Sequence, residues 1–384
     1  MDSGHEPVLL DKILAVLQPM AGDTYVDLTI GRGGHAQAMA EAVGPSGLVV
    51  GFDLDRGNLE YAMQRLGGVV LDTPAELGRV VSDSSAARSV GSGCRAIGIH
   101  AGYAQAASIL GAGSVTADLI LADVGFSSVH VDDPERGFSF QSDGPLDMRY
   151  DRAQRLTAAM IVNETEQEEL ANLIYRYGEE RMSRKIAAAI VANRNEYPIE
   201  TTARLAHVVR DAVPGGSHRR GRRSSARPSP SRRRHGIDPA TRTFQAIRIV
   251  VNDELGSLER LMEAISLSAS VPAATESPVA TTEGEWGAAR WLSSSARAAI
   301  ISFHSLEDRI VKQAVNRMAD GGGIAPLWLK DSATQEERDG DAGRLECTRT
   351  RRSRVITADD KEIDRNPRSR PAKMRAWTMG RGQD

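Results

Sequence analysis

The chain has 384 residues, 41% of them hydrophobic, and a formal net charge of −3. This length allows two domains or one elaborated domain, and the small negative charge excludes a polycation, so any nucleic-acid surface is a local patch. The two cysteines, Cys94 and Cys347, stand in no Cys/His cluster, which argues against a disulfide framework and a structural zinc site and fits a reducing compartment. Residues 1–6 predict no signal peptide, and no apolar run reaches the roughly 20 residues that span a bilayer. We expect a cytoplasmic protein.

The stretch 25–36 predicts a buried strand, a glycine turn and the start of a helix that ends at Val43. Glycines let the backbone of such a turn take positive φ and approach a ligand closely, and they stand here at Gly31, Gly33 and Gly34. A strand–turn–helix of this kind offers free backbone N–H groups to a nucleotide-like ligand. A second predicted strand, 48–52, ends at Asp53, whose carboxylate can accept hydrogen bonds from ribose hydroxyls.

The spacing of Gly31, Gly33 and Ala36 matches the dinucleotide fingerprint and leaves an NAD-dependent dehydrogenase open. The strand-end acids favour a different ligand. Asp27 ends the first strand, and Asp123 ends a later one at 117–122. Together with Asp53 they would surround one crevice, where a positively charged sulfonium ligand such as S-adenosylmethionine fits better than an anionic dinucleotide. The alternative role for Asp27 and Asp123 is helix capping.

Two further segments indicate ligand contacts. A predicted strand at 95–99 leads to Tyr103, which we expect either over an adenine ring or in the core. Residues 123–149 form a predicted loop rich in acids, arginines and phenylalanines, which favours an active site over an ordinary surface loop.

The helical period begins near residue 157 and predicts helices at 163–177, 179–193 and 201–213. Because no strand interrupts them, we predict a helical domain, 132–240, inserted into a core formed by 1–131 and 241–384. An arginine-rich arm at 214–236 has no acidic residue and is predicted to be disordered, either as an RNA contact or as a solvated linker.

The last third of the chain returns to the core. It predicts one long helix at 240–265, a strand at 297–303 that leads to His304, and a loose segment at 321–352. Near the end of the chain an edge strand is predicted at 372–377, because Ala372, Met374 and Ala376 alternate with Lys373, Arg375 and Trp377.

The sequence resembles the bacterial ribosomal RNA small-subunit methyltransferase H family, also called MraW. The matching motifs run in the family's order through nearly the whole chain, at 5–10, 27–35, 132–140, 143–149, 177–180, 239–248, 301–311 and 366–370. The resemblance implies an α/β fold, namely a Rossmann-like class I S-adenosylmethionine-dependent methyltransferase sheet with an inserted all-helical domain that binds the substrate. It also implies N4-methylation of a cytidine in the decoding centre of 16S rRNA, within the small ribosomal subunit.

Carried over by position, the resemblance implies that the cofactor is contacted by Gly33, Gly34, His35, Asp53, Tyr103, Asp123 and His130. Tyr103 stands where the family usually has phenylalanine, His130 where it has glutamine, and Asp238 where it has histidine. These departures concern the substrate side more than the glycine turn.

The chemistry requires a group that accepts a hydrogen bond from the target amine, and Asp123 is the predicted catalytic residue. We hypothesise that four residues hold the RNA, namely Arg136, Asp147, Arg149 and His304. Two alternatives remain, an NAD-dependent dehydrogenase and a non-catalytic RNA-binding assembly factor on the same fold. Oligomeric state, with a homodimer as one option, and the choice between naked rRNA and an assembled subunit are open.

Overall fold

The computed structural model describes residues 7–83, 93–125, 128–213, 238–270, 291–331 and 345–380. The chain divides into two compact units. We call Met1–Gly125 with Leu255–Asp384 the sheet unit, and Phe126–Glu254 the helical unit. The predicted disordered arm, 214–236, lies outside the described residues.

The sheet unit contains ten described strands in one sheet. They are β1 (Thr24–Asp27), β2 (Leu48–Asp53), β3 (Val69–Leu71), β4 (Arg95–His100), β5 (Ala117–Asp123), β6 (Leu292–Ser302), β7 (Ile324–Asp331), β8 (Leu345–Arg349), β9 (Ile356–Thr357) and β10 (Lys373–Met379). Their order is β3-β4-β2-β1-β5-β6-β10-β7-β8, with β9 paired to β10. Strand β1 pairs in parallel with β2 on one side and with β5 on the other, so the strand order reverses at β1. Ligands of such sheets bind outside the carboxyl ends of the strands at this reversal.

The helices follow in chain order. Those of the first half are α1 (Leu10–Leu17), α2 (Gly34–Val43), α3 (Arg56–Leu66), α4 (Leu77–Ser82), α5 (Ala106–Ala112), α6 (Ser128–Asp132), α7 (Ala158–Glu164) and α8 (Gln167–Gly178). Those of the second half are α9 (Ser183–Glu196), α10 (Thr202–Ala212), α11 (Pro239–Val251), α12 (Glu254–Ser270), α13 (Ser305–Asp320) and α14 (Asp360–Arg365). In the described residues, no helix combines the length and apolar character that crossing a membrane requires.

Apolar side chains cover both faces of the sheet. Val26, Val50 and Ile120 belong to the core on one face, and Tyr25, Val49 and Leu119 belong to the core on the other. Because neighbouring residues of a strand point to opposite faces, continuous apolar runs are what a parallel sheet covered on both sides requires.

A separate core holds the helical unit together. Its buried residues include Leu170, Ile174, Ile186, Leu205 and Phe244. Side-chain caps define where three of its helices begin: Thr157, Thr201 and Asp238 accept hydrogen bonds from Met160 N, Arg204 N and Ala240 N. Each such cap stabilises a helix by about 1 kcal/mol.

The boundaries of the helical unit differ from the predicted 132–240. Residues 241–254, which we expected in the sheet core, belong to the helical unit. The reason is packing, because Phe244 and Ile247 lie in its core and α11 touches α8 backbone to backbone. A Cβ placed on Gly178 would lie 2.5 Å from the Arg242 carbonyl oxygen.

The predicted single helix at 240–265 is two helices. The break falls at Asn252 and Asp253, where Asp253 has a φ of 46°. The Asn252 side chain donates to the Met148 carbonyl oxygen at 2.7 Å and accepts from Tyr150 N at 2.8 Å. These contacts to a loop of the helical unit accompany the end of α11, and periodicity along the chain carries no information about them.

The end of the chain was also predicted wrongly. The last strand, β10, lies inside the sheet between β6 and β7 rather than at an edge. Its partner β7 and the neighbouring β8 fall within 321–352, which we expected to lack strands. Both faces of β10 are covered, since Trp377 lies in the core on one face and Met374 in the core on the other. On the Trp377 face, Arg375 pairs with Asp308 at 2.7 Å. A charged residue in the pattern suggested a solvent-exposed edge, but Arg375 is buried and its partner, Asp308, lies 67 residues away in the sequence.

Candidate active site

The turn between β1 and α2 has the left-handed backbone that its glycines predicted. Gly31 and Gly33 have φ values of 51° and 76°. A Cβ on Gly33 would lie 3.2 Å from the Ala62 Cβ, so space as well as conformation favours glycine there. The Gly31 N–H donates to Asp53 Oδ2 at 2.9 Å, which fixes the turn to the end of β2.

Asp53 ends β2, as the sequence predicted. Its second oxygen, Oδ1, accepts from Asp55 N at 2.7 Å. Burial raises the Asp53 pKa to about 7. Each carboxylate oxygen has one backbone donor and keeps a lone pair, so both can also accept from ligand hydroxyls.

Asp27 ends β1 and is only 1% exposed. Its Oδ2 accepts from the Tyr25 hydroxyl at 2.9 Å, and its Oδ1 accepts from Thr29 N at 3.2 Å. Burial raises the Asp27 pKa to about 6, against the lowering effect of these two hydrogen bonds. The capping alternative is wrong for Asp27, because Gly33 precedes the first residue of α2 and no side chain caps that helix.

Asp123 ends β5 beside β1, where Asp27 pairs with Leu121. The Asp123 N–H donates to Thr29 Oγ1 at 2.6 Å. Its Oδ1 atom is shielded from solvent and accepts no hydrogen bond from the described residues. Burial, and then the charges of Asp27 and Glu307, raise the Asp123 pKa to about 8. An unpaired buried oxygen of this kind is costly unless a ligand supplies a donor or a positive charge.

The three acids stand at the carboxyl ends of three adjacent parallel strands, β2, β1 and β5. Asp27 raises the pKa of Asp53 and of Asp123 through its charge. Mutual repulsion between these carboxyls favours a cationic ligand, because a positive charge among them relieves it.

Gly34 and His35 open α2 next to the N-terminal segment of the sheet unit. The His35 Nε2 lies 2.9 Å from the Val8 carbonyl oxygen, and burial lowers the His35 pKa. Because a carbonyl oxygen only accepts, Nε2 carries the proton of a neutral ring.

Tyr103 begins a short helical turn after β4 and packs partly against the sheet core, so its adenine contact stays a prediction.

His130 is placed by α6 in the helical unit, where it is buried. Its ring centroid lies 5.1 Å from that of Phe138 and 5.3 Å from that of Tyr150, and the latter two rings are 5.5 Å apart. Sequence reasoning missed this group of three rings, since nothing in the spacing of the three residues indicates it. Its contact with a cofactor stays a prediction.

Three of the predicted RNA-binding residues hold one another in the helical unit. Arg149 forms two hydrogen bonds to Asp147, Nε to Oδ1 and Nη2 to Oδ2, each 2.8 Å long. Arg136 Nη2 donates to the carbonyl oxygens of Arg149 and Tyr150 at 2.9 and 3.0 Å. These bonds shape the loop itself, and RNA contact by these residues stays a prediction.

His304 lies just before α13 and caps it. Its Nε2 is 3.0 Å from Glu307 Oε1, and Glu307 Oε2 accepts from Phe303 N at 2.8 Å. We did not identify Glu307, a fully buried acid whose charge acts on Asp123. The sequence carried one signal, because Glu307 follows His304 by three residues at the start of a helix, the spacing of a capping box.

A parallel sheet whose order reverses beside three strand-end acids, one buried and two half-buried, and a glycine turn defines a Rossmann-like site for a cationic nucleoside ligand. The chain belongs to the MraW methylase family, whose sequence profile matches residues 2–269 and 286–379. This membership confirms the resemblance, the class I methyltransferase fold and S-adenosylmethionine as the cofactor. It excludes the dehydrogenase alternative.

Three curated relatives carry the name ribosomal RNA small subunit methyltransferase H. The protein of Acidobacterium capsulatum is 37% identical over 97% of this chain and 97% of its own length. That of Geobacter sulfurreducens is 37% identical over 98% and 99%. That of Syntrophotalea carbinolica is 39% identical over 97% and 96%. The similarity therefore covers the relatives' full length rather than one shared domain.

Proposed function

We propose that this methyltransferase acts on 16S rRNA and methylates the N4 amino group of a cytidine in the decoding centre. Methylation of ribosomal RNA rests on family membership and on relatives named for it along their whole length. One observation supports an amino group as the acceptor of the methyl group, namely the unpaired Asp123 Oδ1 beside Asp27. It is a buried acceptor that an amino group can satisfy.

The fit of the cofactor to this site rests on charge. S-adenosylmethionine supplies a methyl group on a positively charged sulfur. Asp27 is buried and Asp123 is half-buried, and desolvation raises their pKa values to about 6 and 8, so both ionise reluctantly without a cation nearby. A neighbouring positive charge favours their ionised forms, so the bound cofactor prepares Asp123 to accept a proton.

Asp123 has two tasks in the proposed reaction. It accepts a hydrogen bond from the N4 amino group, whose lone pair is otherwise delocalised into the ring, and so holds the nitrogen in line with the methyl carbon. When the nitrogen–carbon bond forms and the sulfur–carbon bond breaks, the nitrogen loses one proton, which Asp123 takes up.

The remaining predicted contacts complete the proposal. The cofactor ribose is held by Asp53, its adenine by Tyr103, and its remaining groups by Gly33, Gly34, His35 and His130. The helical unit binds the substrate, with Arg136, Asp147 and Arg149 holding RNA, and His304 of the sheet unit also holds RNA. The target base leaves its stack to reach the site, as bases do in other enzymes that modify them.

The test is methyl transfer from labelled S-adenosylmethionine to small ribosomal subunits, and separately to naked 16S rRNA, both lacking the modification. We expect N4-methylcytidine at one position after nucleoside analysis. A methyl group on a ring carbon or on another base would overturn the amine as target. Tight cofactor binding without transfer to either substrate would mean that the substrate side has diverged, whereas failure to bind the cofactor in equilibrium dialysis would favour the non-catalytic assembly factor.

A further inference from the structure

Glu362, near the end of the chain, binds residues near its beginning. Glu362 lies in α14 and is 9% exposed. Its Oε1 accepts from Leu9 N at 2.6 Å, and its Oε2 lies 2.9 Å from Lys12 Nζ. Leu9 has a φ of 58°, a left-handed conformation that leucine rarely adopts, so the segment that enters α1 needs such contacts to keep its shape.

The segment that Glu362 holds, 7–9, lies against the start of α2. The Val8 carbonyl oxygen accepts the hydrogen bond from His35 Nε2 at 2.9 Å. The Pro7 ring occupies the space beside Gly34, since a Cβ at that position would lie 2.9 Å from Pro7 Cγ. Residues at both ends of the described chain therefore meet at the turn that the proposed function assigns to the cofactor.

We propose that Glu362 is a positioning residue for the cofactor, which acts by fixing residues 7–9 and through them Gly34 and His35. The proposal rests on the proposed role of Gly34 and His35 in cofactor binding. Nothing in the sequence around Glu362 indicates it, because Leu9 is 353 residues away.

The two groups that face Glu362 explain why a carboxylate is needed. Leu9 N–H and the Lys12 ammonium are both donors, and a carboxylate offers each an acceptor oxygen. In Glu362→Gln the side chain keeps one acceptor and gains a donor, so in either orientation a donor faces a donor. In the double variant Lys12→Met, Glu362→Gln that conflict disappears, because the amide oxygen can accept from Leu9 while its NH₂ group faces methionine.

A matched control is Asp359→Asn. Asp359 Oδ2 also pairs with Lys12, at 3.0 Å, but its side chain is 62% exposed, and the Leu9 N–H donates to Glu362 and not to Asp359. Asp359 caps α14 through a hydrogen bond from Glu362 N, and asparagine caps helices equally well. The control therefore removes one charge next to Lys12 without changing the hold on residues 7–9.

The first measurement is the Kd for S-adenosylmethionine by calorimetry. We expect a rise of roughly tenfold in Glu362→Gln, recovery of most of that loss in the double variant, and no change in Asp359→Asn, since an unsatisfied buried donor is disruptive. At saturating cofactor, the KM for rRNA should not change. An unchanged Kd in Glu362→Gln, or an equal rise in Asp359→Asn, would overturn the proposal.

The second measurement needs no cofactor. In hydrogen exchange on the free protein, peptides that cover 7–9 and 33–36 should exchange faster in Glu362→Gln and at the normal rate in the control. Faster exchange throughout the sheet unit would mean general destabilisation and would contradict a positioning role. If Glu362→Gln does not fold, the test is Pro7→Ala, which removes the ring packed beside Gly34. A rise of roughly threefold in the Kd for S-adenosylmethionine would support the proposal, and an unchanged Kd would contradict it.

These outcomes are separate from those of the proposed function. A wild-type chain that binds S-adenosylmethionine and transfers nothing to rRNA would refute the function. The difference in Kd between Glu362→Gln and Asp359→Asn would still test the positioning role.

Discussion

The Tyr25 hydroxyl donates a 2.9 Å hydrogen bond to the Asp27 carboxylate inside the sheet unit. Both residues are almost completely buried, and the bond lowers the Asp27 pKa against the raising effect of burial. Tyr25 is thus the neighbour that helps Asp27 to ionise where a cationic cofactor is expected.

Replacing Tyr25 by phenylalanine removes this bond without changing the ring. We expect a loss of roughly 1–2 kcal/mol in the free energy of unfolding at pH 7, because a hydrogen bond to a charged group is lost. The Asp27 pKa should rise further, and S-adenosylmethionine should bind more weakly. Urea unfolding and calorimetry measure the two effects. Tyr175→Phe, on an exposed side chain, is the control, and equal results for both variants would contradict the prediction.

Replacing Asp123 by asparagine removes the proposed proton acceptor while keeping its size. We expect methyl transfer to fall about 10²–10⁴-fold, the usual contribution of general base catalysis. The Kd for S-adenosylmethionine should rise far less than transfer falls, because Asp27 and Asp53 remain. Single-turnover kinetics at saturating cofactor test this. Transfer within a factor of two of the wild type would remove Asp123 from the catalytic role.

Stability without cofactor should fall as pH rises. Burial raises the pKa values of Asp27, Asp53 and Asp123 to about 6, 7 and 8, above those of an unfolded chain. The folded protein therefore binds more protons than the unfolded one between about pH 4 and pH 8, and unfolding becomes easier across that window. Urea titrations at several pH values measure the slope.

Binding of S-adenosylmethionine should depend on pH in the opposite sense. Ionised acids attract the cation, so affinity should increase from pH 5 to pH 9 and binding should release protons. In Asp123→Asn the pH dependence of stability and that of cofactor affinity should both be shallower, and the relative loss should be largest between about pH 7 and pH 8, where Asp27 and Asp53 are already mostly ionised. Equal slopes in the variant and the wild type would contradict the assignment of the highest pKa to Asp123.

Gly33→Ala should damage the glycine turn. A φ of 76° and a Cβ 3.2 Å from Ala62 both oppose alanine, and the strained backbone should cost roughly 1–2 kcal/mol in unfolding free energy. The Kd for S-adenosylmethionine should rise as well. Gly321→Ala is a suitable control, since its φ is −75° and the nearest atoms to a Cβ are 3.6 Å away. Similar losses in both variants would point to a general effect of alanine.

Arg149 allows the structural and RNA-binding roles to be separated. Burial raises the Asp147 pKa, but the hydrogen bonds from Arg149 outweigh it and hold that pKa below its usual value. Arg149→Lys keeps the charge and loses the two-pronged bond, so we expect a stability loss of about 1 kcal/mol with little change in the KM for rRNA. Arg149→Ala should raise that KM in addition. Equal KM values for the two variants would leave Arg149 with a role in loop structure alone.

Local patterns were enough to predict the part of the site that lies along single segments. The glycine turn at 31–34 and the acids that end β1, β2 and β5 were found from the sequence, because strand ends and positive-φ turns leave short-range signals. Parallel pairing then brings those strand ends together, since it places their carboxyl ends at the same edge of the sheet.

Partners distant in sequence were not predictable in this way. The charge of Glu307 raises the Asp123 pKa. Asp308 pairs with Arg375, and Glu362 accepts a hydrogen bond from Leu9 N. Periodicity along the chain indicates none of these pairs. Arg375 is buried in a strand that lies inside the sheet, although we expected that strand at an edge.

The sequence by itself determined the family, the cofactor and the strand-end acids, because those follow from motifs and from alternation along single segments. Only the tertiary structure decided the place of β10 in the sheet, the extent of the helical unit and the contact between Glu362 and residues near the start of the chain. The physical reason is that a charged side chain inside the protein needs a partner close to it in space. Packing between segments far apart in the sequence decides which partner that is.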